Sequence, residues 1–233
     1  MFSPLGGVRG GFKEIMKEKI QSKVIEIRNI TESTYIIRIE RNGFEFKAGQ
    51  YLVLSVPDER KAREYSIYSA EQDNFIELLI KEVNPGKLSH ELKYLKVGTK
   101  VQIGGPFGFF ILKDEIIELK QPVIFVATGT GISPFHSIIL SNPSLDYRII
   151  HGVRYKYEAY QKEDYEPERY QLCSSRENGI GYMGRVTDFL KTEPINKNAL
   201  YYLCGNSAMV DEVTDYLEEQ GLPADHIKTE VFF

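Results

Sequence analysis

The sequence predicts a two-domain protein, an N-terminal antiparallel β-barrel followed by an α/β domain built on a parallel sheet. Three observations predict it. From Lys19 to Ile111, short strand-like runs are separated by turn residues, the grammar of a small antiparallel barrel. From Pro122 onward, strand-like and helix-like stretches alternate, as in a parallel sheet covered by helices. Between the two grammars, the unbroken apolar run Val123 to Ala127 leads straight into Thr128-Gly-Thr-Gly131, so a strand covered on both faces opens into a glycine turn.

In the first half the expected strands are Lys23 to Asn29, Thr34 to Glu40, Tyr51 to Val56, Arg63 to Ser69, Phe75 to Val83 and Lys100 to Gly104. Arg41-Asn-Gly43, Ala48-Gly49 and Asn84-Pro-Gly86 punctuate them, and Ser89 to Leu95 is expected to form one short helix. In the second half, strands are expected at Val123 to Ala127, Tyr147 to Val153, Arg169 to Ser174 and Leu200 to Cys204, with helices at Pro134 to Leu140, Val186 to Lys191 and Ser207 to Gln220. The change falls between Leu112 and Gln121, which divides the chain into an arm (1–18), a barrel domain (19–115) and an α/β domain (116–233).

Composition narrows the function. With 233 residues and 42% hydrophobic content, the chain can bury real cores. Its net charge of −4 is uneven: residues 1–115 carry 18 basic against 16 acidic side chains, residues 116–233 carry 11 against 17. Without a basic stripe, nucleic-acid binding is not expected. No apolar run approaches membrane-spanning length and the N-terminus lacks a signal-like apolar core, so a cytoplasmic location is expected. Two cysteines, Cys173 and Cys204, are too few to hold an iron–sulfur cluster, and His90, His136, His151 and His226 share no metal-ligand spacing. No metal is expected, and the histidines read as surface or packing residues.

The glycines of Thr128-Gly-Thr-Gly131 let backbone N–H groups approach a pyrophosphate, and Pro134 supplies a fixed φ at the start of the following helix, whose positive end faces the same group. Ligands of parallel sheets bind at the carboxyl ends of the strands, which places Thr128, Arg154, Ser175 and Cys204 along one edge. Upstream, Arg63-Glu-Tyr-Ser66 offers a planar fork for phosphate, a rigid ring and a small hydroxyl. Gly86-Lys-Leu-Ser89 reads as a phosphate-binding turn at a helix start, and Gly104-Gly-Pro-Phe-Gly108 as a turn that admits a bulky ligand.

In this order, followed by Cys204-Gly-Asn206 and Met209, these motifs make the chain resemble the ferredoxin–NADP(+) reductase family from about Lys19 to Phe233. The resemblance implies an FAD-binding barrel followed by an NADP-binding domain. It implies that Arg63 and the turn Gly86, Leu88 and Ser89 hold the FAD pyrophosphate, that Tyr65 stacks on the isoalloxazine ring, and that Ser66 hydrogen-bonds near its N5. Thr128, Gly129, Thr130, Gly131 and Pro134 would take the NADP pyrophosphate, with Gly205 and Met209 beside them. Cys204 would lie beside the reacting nicotinamide carbon as a positioner. Cys173 has no counterpart and reads as packing.

The choice of dinucleotide has its own signal. An NAD site places an acidic side chain at the end of the second strand, whereas a 2′-phosphate needs cations. Here that strand ends Val153-Arg154, and Ser175-Arg176 and Gly184-Arg185 follow, which reads as a 2′-phosphate clamp. The chain ends Glu230-Val-Phe-Phe233. In the resembled family a terminal aromatic covers the flavin, so Phe232 or Phe233 takes that place and Glu230 matches the carboxylate near the hydride-transfer site. A strand tucked into the core is the alternative.

The function expected from these residues together is electron transfer between NADPH and ferredoxin or flavodoxin, by hydride exchange between nicotinamide and flavin N5 and then single-electron transfer, an activity of the EC 1.18.1.2 type. The alternatives are a flavin-carrying electron-transfer subunit of a larger complex, and a reductase for an oxygenase or for free flavin. Lys81, Lys87, Lys93, Lys96 and Lys100 are candidates to steer an acidic carrier.

Overall fold

The computed structural model describes residues 19–57, 61–83, 88–179 and 181–232. Of the expected sites, the arm 1–18, the turn Asn84-Pro-Gly86, Lys87 and Phe233 lie outside the described residues.

Six antiparallel strands, β1 (Ile20–Asn29), β2 (Thr34–Glu40), β3 (Tyr51–Ser55), β4 (Ala62–Ser66), β5 (Phe75–Lys81) and β6 (Lys100–Phe107), form one sheet in the order β4-β3-β6-β1-β2-β5. Alternation sends Tyr35, Ile37 and Ile39 of β2 and Ile76, Leu78 and Ile80 of β5 into the barrel core, where a short helix, α1 (Leu88–Lys93), adds Leu88 and Leu92. Arg63 to Ser69 does not run as one strand: β4 stops at Ser66 because the chain then crosses to the far edge of the sheet. There the Tyr68 N–H donates to the Glu77 carbonyl at 2.8 Å, joining the two edges. Closure removes the unpaired edge groups that an open sheet would expose.

A short helix, α2 (Asp114–Glu118), occupies the junction that composition alone left without structure. Beyond it, β7 (Val123–Thr128), β8 (Tyr147–Val153), β9 (Tyr170–Ser174), β10 (Tyr182–Met183), β11 (Leu200–Asn206) and β12 (Ile227–Phe232) form a second sheet, all parallel, in the order β10-β9-β8-β7-β11-β12. The order reverses between β7 and β11, and ligands of such sheets bind outside the strand ends at that switch point. Helix α3 (Ser133–Ser141) covers the barrel-facing side through Phe135 and Ile138. Helices α4 (Val186–Leu190) and α5 (Ser207–Glu219) cover the other side through Val186, Phe189, Val210 and Val213. Strand β12, left open as an alternative by the sequence, is the outer strand of this sheet.

The two sheets share a core. Ile36 and Leu79, which point out of the barrel, pack in one cluster with Phe125, Phe135 and Ile138. Polar contacts lock the same face: the Ser137 hydroxyl donates to the Ser69 carbonyl at 2.6 Å, and His136 stacks on Tyr68 with ring centroids 3.7 Å apart. The Nδ1 of His136 lies 2.7 Å from the Tyr68 carbonyl and its Nε2 lies 2.8 Å from Asp164. Lys81 and Glu158 add an ion pair of 3.0 Å across the interface. These contacts hold the end of β4 against the carboxyl edge of the parallel sheet.

Candidate active site

The site is built where strand ends meet. In the parallel sheet, Cys204 of β11 is in register with Ala127 of β7 on one side and Glu230 of β12 on the other, and Asn206 is in register with Phe232. The turn after β7 fits closely against this strand. A Cβ on Gly131 would stand 2.4 Å from the Cys204 carbonyl oxygen, and one on Gly205, whose φ is +140°, would stand 2.2 Å from Thr128 Oγ1. Glycine is required at both places. The Asn206 N–H donates to Thr128 Oγ1 at 3.1 Å, which ties the two strand ends together.

The barrel contributes the facing wall. Ser66 is buried at the end of β4, close enough to the Glu230 carboxyl to favour its charged form. Burial pushes Glu230 up from 4.5 to about 7; the Ser66 hydroxyl opposes the rise and the Glu64 charge adds to it. Its Oε2 has no protein partner, which leaves a buried acceptor for a ligand donor. Cys204 is fully buried, and burial together with the nearby Glu230 holds its thiol well above 9, so it is protonated and not a nucleophile. Tyr51, which the sequence did not single out, is in register with Ser66, and its ring packs against Phe107 at 5.7 Å between centroids. No motif marks it; only strand register brings it to Ser66. For Ser66→Ala we expect the Glu230 carboxyl to titrate higher still, because the hydroxyl that favours its charged form is lost. A shift in the pH profile of nicotinamide-dependent flavin reduction, relative to the parent protein, checks this.

Among the flavin-side residues, Arg63 is exposed on β4 and Tyr65 is half-buried beside it. Leu88 has its side chain in the barrel core, so only its main chain is available at the α1 terminus. Ser89 is buried: its hydroxyl oxygen accepts from the Val83 N–H at 3.2 Å and its carbonyl accepts from Tyr35 at 2.6 Å. Phe232 packs at the margin of the shared core, close to the switch point. Of the nucleotide-side residues, Gly129 has φ +54° and no atom within 4 Å of a Cβ position, an open cradle above the turn. Thr130 and Gly131 belong to the 3₁₀ turn Gly129–Ile132, and Pro134 lies in the first turn of α3, as its fixed φ requires. Arg154, Ser175, Arg176 and Arg185 are exposed at the ends of β8, β9 and β10. The Arg176 N–H donates to the Arg154 carbonyl at 3.0 Å, which brings those two side by side. Met209 is buried on the far face of the sheet with Val210 and Val213. Cys173 packs in that same cluster.

One expectation changes. Lys81 and Lys93 are held by Glu158 and Glu82, at 3.0 and 2.7 Å, so of the five lysines only Lys96 and Lys100 stand exposed among the described residues. His136 and His151 are buried packing residues with both ring nitrogens of each hydrogen-bonded in the interior. A cleft at the opposite, amino ends of the parallel strands is lined by Asp146, Arg148 and Glu193. There Arg148 is matched by Glu193 and Asp146 by Arg169.

Residues 21–111 match the oxidoreductase FAD-binding domain and residues 125–215 the oxidoreductase NAD-binding domain. The flavodoxin/ferredoxin–NADP reductase of Escherichia coli (strain K12) is 31% identical over 220 residues, covering 84% of this chain and 88% of that protein. The chain belongs to the ferredoxin–NADP(+) reductase family. It is an FAD-dependent oxidoreductase that uses a nicotinamide dinucleotide. The toluate 1,2-dioxygenase electron transfer component of Pseudomonas putida is 29% identical over 229 residues, 91% of this reductase and 67% of that protein. This chain spans 62% of the propane 2-monooxygenase reductase component of Rhodococcus jostii (strain RHA1). A solved ferredoxin NADP+ reductase from Neisseria gonorrhoeae has the same fold, with a TM-score of 0.83 over 92% of this chain and 99% of that one at 23% identity. The two groups fit the residues present: the unpartnered Glu230 oxygen beside Ser66 on the flavin side, and the open Gly129 cradle on the nucleotide side. Among the described residues no helix is long and apolar enough to cross a membrane, and no cluster of side chains forms a metal site.

Proposed function

We propose that this reductase moves electrons between NADPH and a ferredoxin or flavodoxin, as an enzyme of the EC 1.18.1.2 type. The observation that carries the reading is the convergence of the buried Ser66 and Glu230, close enough to interact, with Cys204 in register beside Glu230. Flavin, when bound, converts a two-electron hydride into single electrons. The residues of the chain bind and orient. Residues 19–115 form the FAD domain and 116–233 the nucleotide domain. Arg63, with the main chain of Gly86, Leu88 and Ser89, holds the FAD pyrophosphate, and Tyr65 and Phe232 or Phe233 flank the ring. Ser66 and Glu230 form the polar rim at the reacting edge, and Cys204 supplies a small, protonated, apolar wall that sets the approach of the nicotinamide. Thr128, Gly129, Thr130, Gly131 and Gly205 receive the nucleotide pyrophosphate, with Pro134 fixing the start of the helix behind them. Arg154, Ser175, Arg176 and Arg185 clamp the 2′-phosphate. Two unpaired cysteines suit a reducing cytoplasm.

The clamp has a direct test. Arg154→Ala and Arg176→Ala should each raise KM for NADPH by about 10-fold, since each removes a charge-assisted hydrogen bond, and should leave KM for NADH unchanged. Equal effects on both nucleotides would refute the clamp. Reduction of purified ferredoxin and flavodoxin by NADPH, followed in separate assays, tests the function itself; no turnover with either carrier would refute it. The oxygenase relatives favour a second reading, in which the acceptor is an oxygenase component. Two buried cysteines cannot ligate an iron–sulfur cluster within these 233 residues, so in that reading the cluster belongs to another segment or protein.

A further inference from the structure

His151 lies in the middle of the parallel sheet, in register with Ala127 of β7 and Leu172 of β9, and is completely buried. Its Nε2 is 2.9 Å from the Gly129 carbonyl oxygen and its Nδ1 is 2.7 Å from the Tyr170 hydroxyl. A carbonyl can only accept, so Nε2 carries the proton and Nδ1 accepts from Tyr170. In the neutral ring both hydrogen bonds fix one tautomer. Burial favours that form, bringing His151 down to about 4, while the Gly129 bond and the Glu158 charge pull the other way.

The geometry of the peptide plane gives this chain of bonds a use. The bond between Gly129 and Thr130 is trans, so its C=O and N–H point in opposite directions. A carbonyl drawn down onto His151 turns the Thr130 N–H up and away from the sheet. The first N–H groups of a helical turn have no partner within it, so this donor is free for an anion above the turn. Gly129 can hold the required left-handed φ, and the Ser133 hydroxyl, donating to the Thr130 carbonyl at 2.7 Å, fixes the next peptide.

We propose that Tyr170 and His151 form a positioning relay for the nucleotide: Tyr170 holds the His151 ring in place through Nδ1, His151 orients the Gly129 peptide through Nε2, and the Thr130 N–H is thereby aimed at the dinucleotide pyrophosphate. Neither side chain touches the ligand. The proposal rests on the reading of Thr128 to Gly131 as the pyrophosphate turn.

The test uses the FAD-loaded, full-length protein with NADPH as donor and ferricyanide as acceptor, recording KM, kcat and bound FAD. Glutamine places its amide nitrogen where Nε2 stands, and asparagine places its own near Nδ1. His151→Asn and Tyr170→Phe should raise KM for NADPH about 10-fold, the loss of one oriented hydrogen bond, with kcat and FAD content unchanged. His151→Gln should stay within about 3-fold of the parent. A pure packing role would make the two amides equally damaging, and that result overturns the relay. Should the His151 variants fail to fold, Tyr170→Phe, which keeps both rings, decides: an unchanged KM overturns the proposal. Gly131→Val serves as the reference for the turn. If it raises KM while Tyr170→Phe and His151→Asn do not, the relay alone falls; if it too leaves KM unchanged, the reading of the turn falls.

Discussion

Gly131→Val is expected to yield a yellow protein that NADPH reduces at least ~100-fold less well than the parent. The Cβ alone would sit 2.4 Å from the Cys204 carbonyl oxygen and 2.8 Å from Gly205 Cα, distances at which backbone must move. Overpacking of this kind costs about 1–3 kcal/mol or more, and here the strain falls where β7, β11 and the nucleotide turn meet. The barrel has its own core of Tyr35, Ile37, Leu52, Leu54 and Leu78 and is untouched, so FAD content should be unchanged. Flavin absorbance after purification, with stopped-flow reduction by NADPH, separates the two effects. A variant that keeps FAD and is reduced at the parent rate would show that this turn does not carry the nucleotide.

Glu230→Gln is expected to remove a pH dependence that the parent protein carries. In the folded protein the carboxyl titrates near 7, raised from 4.5, so between these values the folded state holds a proton that the unfolded state has released. Stability from this group is therefore fully present below pH 4.5 and is lost as pH rises through 7. Across that window the flavin-free parent should lose up to about 3 kcal/mol relative to Glu230→Gln, whose amide does not titrate. Urea unfolding of both at pH 5 and pH 8 measures the difference. Parallel profiles would mean that Glu230 is solvated and that the junction with Ser66 does not close over it.

Much of the architecture could be read from the chain because it is written in period and punctuation. The short strand-like runs Thr34 to Glu40 and Tyr147 to Val153 coincide with the observed strand bounds. Glycines at 129, 131 and 205 announced a turn that the structure shows pressed against a strand. What escaped was set by contacts distant in sequence. Ile67 to Ser69 reads as strand continuation, yet the barrel bends there to meet Glu77, a partner no local pattern reveals. Tyr51 and His151 carry no motif; each matters because register lays it beside Ser66 or beneath Gly129. The lysines show the converse. Five basic residues in a row of segments suggest a docking face, but Glu82 and Glu158 fold back on two of them. The burial of Met209 likewise follows from the direction in which α5 packs, which the motif Cys204-Gly-Asn206 does not encode.

The central claim is that one chain brings NADPH to FAD across the junction of its two domains. An anaerobic visible spectrum of the purified protein, titrated with NADPH and separately with NADH, tests it most directly. The account predicts a flavin band that NADPH bleaches at about 10-fold lower concentration than NADH or less, the arginine clamp making the difference. A protein that binds FAD but whose flavin neither nucleotide reduces would contradict it.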